Sequence, residues 1–135
     1  MEPVRDRGAM IRGMAPVLDP ERWHFCLATD PATAARAAPL ATFREDEGLS
    51  LILSDRDAAG LGLTTDLPMA RITLTVHSAL DGVGLTAAVA TALAEAGIPC
   101  NMVAAFHHDH AFVPLDDAPG ALAILQALAD AEGEA

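Results

Sequence analysis

Residues 71–78 alternate strictly between apolar and polar side chains, and no other feature constrains the fold of this chain as tightly. Ile72, Leu74 and Val76 fall on one face, which is the two-residue period of a strand with a single buried side. A glycine turn follows, and residues 85–96 then place apolar side chains at helical spacing. The pattern predicts a half-buried strand, a tight turn and an amphipathic helix that packs on a sheet.

The same succession of elements occurs in both halves of the chain. Each half is predicted as strand, helix, strand, strand and helix, and similar tetrapeptides at residues 43–46 and 106–109 stand at the two hairpin turns. This order is that of a ferredoxin-like layer with helices on one sheet face. We therefore predict an α+β fold of two tandem ferredoxin-like βαββα units with antiparallel sheets, in which the halves share strands. The predicted boundaries are a lead-in segment at 1–20, a first unit at 21–66 and a second unit at 67–131.

The charge balance excludes several classes of function. The chain has 19 acidic and 8 basic side chains, which gives a net charge of −11, and all the basic residues are arginines. A surface this negative does not suit binding to nucleic acid or to an anionic membrane. The absence of lysine from the sequence excludes Schiff-base chemistry and a P-loop.

Hydropathy and cysteine usage indicate the compartment and the assembly. No apolar run reaches the roughly 18–20 residues of a transmembrane helix, and residues 1–13 lack the apolar centre of a signal peptide. We expect a cytoplasmic protein in which Cys26 and Cys100 are reduced and lie in buried strands. Aromatic residues make up 4% of the chain, so its core depends on aliphatic side chains. A core of this size is marginal, and we expect a homodimer.

The turn at residues 81–86 is the first candidate site. Gly82 and Gly84 let a ligand approach the backbone, and the helix that follows has free N–H groups that attract a carboxylate or phosphate. The alternative is an ordinary tight turn. A dinucleotide fingerprint would need a third glycine where Ala87 stands. Asn101, which opens a later strand, is expected to be a buried amide that bonds this turn or a ligand there.

A histidine-rich hairpin is the second candidate site. Residues 101–107 and 110–115 are predicted as strands around a two-residue turn, before a final helix at 117–128. Imidazole and carboxylate groups bind Zn²⁺, Ni²⁺ or Fe²⁺, although alternate hairpin residues face opposite ways. The alternative is a polar hairpin tip without metal. The candidate metal ligands are His77, His107, His108, Asp109 and His110.

Nucleophilic catalysis finds little support in the sequence. The serines and cysteines lie in no nucleophile-elbow motif. Ser78 follows His77, but adjacent strand residues point to opposite faces, so the two do not form a dyad. We therefore predict that the protein is not an enzyme and uses no cofactor.

Several ordered segments resemble a family of small bacterial ACT-domain proteins. They are residues 69–78, 83–89, 94–104 and 108–114, and the first half agrees at residues 43–49. The resemblance extends over nearly the whole chain. Proteins of this family are similar to the regulatory tail of aspartate kinases but lack a kinase domain.

The resemblance implies a regulatory module that binds a small molecule, usually an amino acid. In that superfamily the glycine turn holds the ligand, and the strand at 101–103 lies beside it. The first half has residues 30–33 in place of a glycine turn, so at most one site per chain is expected. Two other functions stay open, a metal-binding or enzymatic protein that uses the histidine hairpin and a structural protein-interaction module. The implied ligand-binding residues are Asp81, Gly82, Val83, Gly84, Leu85, Asn101 and Met102.

Overall fold

The structure, a computed structural model, describes residues 2–134, so Met1 of the predicted lead-in segment lies outside it. The helices are α1 (Arg7–Arg12), α2 (Pro31–Arg36), α3 (Asp55–Gly60), α4 (Leu85–Glu95) and α5 (Ala118–Glu134). The strands are β1 (Val17–Ala28), β2 (Ala41–Glu45), β3 (Gly48–Ser54), β4 (Met69–Leu74), β5 (Asn101–Ala104) and β6 (Asp109–Pro114). A 3₁₀ turn, Leu115–Asp117, leads into α5.

The strands form a six-stranded antiparallel sheet in the order β2-β3-β1-β4-β6-β5. Strand β3 pairs with both β1 and β2, and β5 pairs with β6. This architecture confirms the predicted α+β fold of two ferredoxin-like units. Within residues 2–134, no helix is both long and apolar enough to cross a membrane.

The chain divides into two compact units. Unit 1 contains the residues up to Asp19 together with those from Ala70 onward, and unit 2 is Pro20–Met69. The segment predicted as a lead-in therefore packs within the unit that the second half of the chain builds. Its helix α1 is capped by Asp6, whose carboxylate accepts the Ala9 N–H at 2.9 Å, and it packs against α4 and α5.

The core of unit 1 confirms the alternation that predicted β4. Ile72 and Leu74 of this strand are fully buried, and Leu93 of α4 and Leu125 of α5 pack in the same cluster. Burial of an aliphatic side chain of this size contributes about 1.5–3 kcal/mol. Met10 of α1 is buried in the cluster as well. The N-terminal helix thus completes the core of unit 1.

The strand predicted at 71–78 is shorter in the structure, because the N-terminal segment takes over its backbone pairing. The Thr75 N–H donates to the Met14 carbonyl at 2.6 Å. The Val4 N–H donates to the His77 carbonyl at 2.7 Å. Buried backbone groups need partners, and residues beyond β4 find them in this segment.

Unit 2 has a small core of its own beneath the β2–β3 hairpin. Leu51 and Leu53 of β3 are buried there with Cys26 of β1. His24 is also buried, and its Nε2 lies 2.6 Å from the Asp55 Oδ1 at the start of α3. This pair joins β1 to the helix that follows the hairpin.

The two cysteines are free thiols in different surroundings. Cys26 lies in a buried strand, as predicted, whereas Cys100 is half-buried and precedes β5. The prediction of a strand position for Cys100 was wrong because Pro99 and Cys100 belong to the connection after α4. Burial raises the pKa of both thiols, which disfavours the reactive thiolate.

Candidate functional site

The connection from β4 to α4 ends in a glycine that two constraints require. Gly84 has φ +111° and stands immediately before α4, with no side chain capping the helix. A Cβ added there would lie 2.8 Å from the Arg7 Cδ, so the position is also sterically closed. Leu85 is buried and anchors the first turn. The first N–H groups of α4 are thus left without a side-chain acceptor, and they carry the partial positive charge of the helix.

A cavity of about 110 Å³ opens beside this helix terminus. It lies wholly within unit 1, between the glycine turn, α1 and the start of β6. Two hollows elsewhere are larger, but neither is lined by the glycine turn. The residues that line the cavity are Met10, Ser78, Ala79, Leu80, Gly82, Gly84, Leu85, Thr86, Ala104 and Asp109.

A buried carboxylate faces the same cavity. The Ser78 hydroxyl donates to the Asp109 Oδ2 at 3.1 Å, and the two residues are 8% and 9% exposed. A buried charge is costly unless it is partnered. The Asp109 carboxylate lines the cavity, and Ser78 binds one of its two oxygens. A negative group and a positive helix terminus therefore line one cavity.

The N-terminal segment forms another wall of the cavity. The Met10 Sδ lies 3.0 Å from the point where a Cβ on Gly82 would stand, so the glycine turn and α1 pack closely. Arg5 pairs with Asp81 at 3.0 Å, and both side chains are largely exposed. Arg7 pairs with Glu132 of α5 at 3.3 Å. Met10 and Arg5 thus contact the glycine turn, whereas Arg7 pairs with α5.

The predicted ligand-binding residues are placed unequally around the cavity. Gly82, Gly84 and Leu85 line it, whereas Asp81 and Val83 are exposed on the turn, outside the lining. From β5 the lining residue is Ala104, at the opposite end of the strand from Asn101 and Met102. The expectation that Asn101 is a buried amide was wrong. It is exposed because β5 is an edge strand, where it pairs with Phe112 of β6.

The histidine hairpin does not gather its residues into one site. The predicted two-residue turn is a four-residue loop, 105–108, because Ala104 pairs with Asp109. Asp109 turns to Ser78, and the His110 Nδ1 lies 3.0 Å from the Thr73 Oγ1. Among the residues that the structure describes, no three His, Cys, Asp or Glu side chains are placed to share a metal ion.

Two other histidines of the candidate set are oriented by separate contacts. The His108 Nδ1 lies 3.3 Å from the Val76 carbonyl. The His107 Nδ1 lies 3.3 Å from the His77 Nε2. His77 and Ser78 have different partners and do not form a dyad, although both residues lie beyond the end of β4. The role of Ser78 at the cavity was missed because its partner Asp109 comes from β6, and local sequence patterns do not reveal which distant strands are neighbours.

Two family models, both described as ACT domain, match residues 4–70 and 70–127. A solved protein of unknown function from Vibrio cholerae, described as a possible transport protein, is 41% identical. That alignment covers 90% of this chain and 94% of the other, with a TM-score of 0.80. The search of curated proteins finds no match.

More distant structures share the fold. The regulatory subunit of aspartate kinase from Thermus thermophilus, in a ligand-free form, is 13% identical with a TM-score of 0.65. The alignment covers 84% of this chain and 95% of the Thermus thermophilus chain. A protein from Agrobacterium tumefaciens is 20% identical with a TM-score of 0.64, and the alignment covers 80% and 83% of the two chains.

Proposed function

This chain belongs to the ACT-domain family, whose members are regulatory modules that bind small ligands, and from that premise we propose that it is a non-catalytic sensor of a free amino acid. The ligand would bind in the cavity beside the glycine turn. We also propose that the protein acts in the cytoplasm and as a homodimer.

The observation that carries this proposal is the pairing of opposite charges across one small cavity. The uncapped first turn of α4 suits the α-carboxylate of an amino acid. The buried Asp109 suits the α-ammonium group, because its carboxylate lines the cavity and accepts charge-assisted hydrogen bonds. A free amino acid carries both charges, whereas a phosphate or a simple carboxylic acid carries the negative one alone. The cavity thus favours a zwitterion.

The surroundings of Ser78 support a binding role over catalysis. A serine nucleophile needs a base that removes its proton, and the usual base is an imidazole. Here the Ser78 hydroxyl donates to a carboxylate, and His77 is oriented toward His107 instead. Ser78 therefore serves to hold the Asp109 carboxylate in place.

A protein-interaction module is the second candidate function, favoured by exposed apolar side chains. Leu80 and Val83 of the glycine turn and Phe106 of the hairpin loop are between 69% and 80% exposed. Where such exposed apolar side chains form a contiguous patch, the patch marks a contact with another protein.

Isothermal titration calorimetry of the untagged protein against the twenty amino acids tests the proposal. We expect one or two amino acids to bind, with a Kd of about 0.01–1 mM, typical of a metabolite sensor at about −4 to −7 kcal/mol. Asp109→Asn should abolish this binding because it removes the charge while keeping an acceptor for Ser78. Asp81→Asn is the matched control, since Asp81 lies outside the cavity lining.

Either of two results would overturn the proposal. Binding by the Asp109→Asn variant at wild-type affinity would place the ligand elsewhere. The interaction module would be favoured if saturating amino acids gave no heat of binding and no change in Tm, and if the same protein captured a partner.

A further inference from the structure

Two imidazoles from separate loops meet at the surface of unit 1. His77 follows β4, and His107 lies in the loop between β5 and β6. The His77 Nε2 and the His107 Nδ1 are 3.3 Å apart, and the ring centroids are separated by 4.8 Å. The ring of Phe106 stands edge-on to His107, with centroids 5.0 Å apart. Phe106 thus contacts one of the two imidazole rings.

The distance between these nitrogens is that of two ligands on one metal ion. Zinc–imidazole bonds are about 2.0–2.1 Å long and structural zinc is tetrahedral, so two ligand nitrogens lie about 3.3–3.4 Å apart. In the metal-free state, two neutral imidazoles at this distance share a single N–H···N hydrogen bond. In such a hydrogen bond one nitrogen carries the proton and the other a lone pair, so metal binding displaces that proton and turns both rings so that each directs a lone pair at the ion.

We propose that His77 and His107 form a two-imidazole site for a borderline divalent transition ion of the Zn²⁺ or Ni²⁺ class. Imidazole nitrogen suits these ions, whereas Mg²⁺ and Ca²⁺ prefer oxygen ligands. The described residues offer no third protein ligand, so water completes the coordination and the ion exchanges readily. The net charge of −11 attracts cations to the protein.

Metal binding would join the two loops that flank the cavity. His77 immediately precedes Ser78, and His107 lies two positions before Asp109. An ion between the histidines thus fixes both ends of the Ser78–Asp109 hydrogen bond. The metal site itself does not depend on the proposed amino-acid ligand, and its test uses the metal alone.

Titration of untagged protein with ZnCl₂ at pH 7.5 tests the site. Calorimetry measures the binding, and thermal melting measures the change in Tm. We expect about one equivalent of Zn²⁺ to bind and to raise the Tm, while MgCl₂ has no effect. His77→Ala and His107→Ala should each weaken the Zn²⁺ affinity about tenfold or more. His110→Ala is the matched control, because His110 contacts Thr73 and not the pair. No Zn²⁺ binding by the wild type, or equal affinity in all three variants, would overturn the proposal.

A second measurement needs no variant and covers the case in which a substitution unfolds the protein. In NMR spectra of the wild type, Zn²⁺ should first shift the imidazole signals of His77 and His107. The signals of His24, His108 and His110 should respond less. Earlier or equal shifts of those three signals would contradict a site at the pair.

Discussion

Substitution of Gly84 by alanine is expected to destabilise the protein for two reasons, the strained backbone and the steric overlap with Arg7. The residue has φ +111°, and an added Cβ would lie 2.8 and 2.9 Å from the Arg7 Cδ and Cγ. A left-handed backbone costs an L-residue about 1–2 kcal/mol. The Arg7 side chain must also move aside, and this overlap adds about 1–3 kcal/mol. We therefore expect Gly84→Ala to lower the free energy of unfolding by about 2–5 kcal/mol.

Gly97 supplies the matched control for the backbone cost. It too has a positive φ, +73°, but an added Cβ would meet no atom within 4 Å. Gly97→Ala should therefore lose about 1–2 kcal/mol and no more. The difference between the two variants measures the steric conflict with Arg7.

A double-mutant cycle with Arg7→Ala tests the source of the steric cost. Arg7→Ala alone should cost at most about 1 kcal/mol through the exposed ion pair with Glu132. In the Gly84→Ala background it should restore stability, with a coupling free energy of about 1–3 kcal/mol. Urea denaturation followed by circular dichroism measures all four proteins. Equal losses for Gly84→Ala and Gly97→Ala, or zero coupling with Arg7, would refute the reasoning.

Two further predictions concern the core and the pH dependence of stability. Leu125→Ala should lower the free energy of unfolding by about 2–5 kcal/mol, because Leu125 is fully buried in unit 1; an exposed control, Leu67→Ala, should change it little in the same denaturation assay. Burial, followed by the positive charge of Arg71, lowers the pKa of His110 from its ordinary value of 6.5. As the pH falls, His110 therefore takes up a proton more readily in the unfolded chain than in the native protein. The Tm should therefore decrease as the pH drops through 6.5, and His110→Asn should reduce that decrease; an unchanged pH profile in the variant would assign the effect to other groups.

The elements that local patterns determine were predicted well. The alternation at 71–78 and the apolar spacing at 85–96 identified β4 and α4, because burial on one face imposes those periods. The turn itself was identified from Gly82 and Gly84, and both line the cavity. These features depend on residues that are close together in the sequence.

The features that were not predicted depend on contacts between distant parts of the chain. Met10 reaches the cavity wall because α1 packs beside the glycine turn, and Ser78 pairs with Asp109 because β4 and β6 are neighbours. Local periodicity does not reveal either contact. Asn101 was expected to be buried because it opens a strand, but its exposure is set by the edge position of β5. Burial of a polar residue thus depends on which strands are neighbours.

The division of unit 1 between the two ends of the chain has a consequence for synthesis on the ribosome. Chains emerge with the N-terminus first, and domains fold as their residues become available. Unit 2 is continuous in sequence, whereas Met10 and Ile11 must wait for partners such as Leu93 and Leu125. Both apolar side chains therefore lack these native partners until the later residues have been synthesised. The cavity is lined by Asp109 of β6 as well as by Met10 of α1, so it can form only after both elements have left the ribosome.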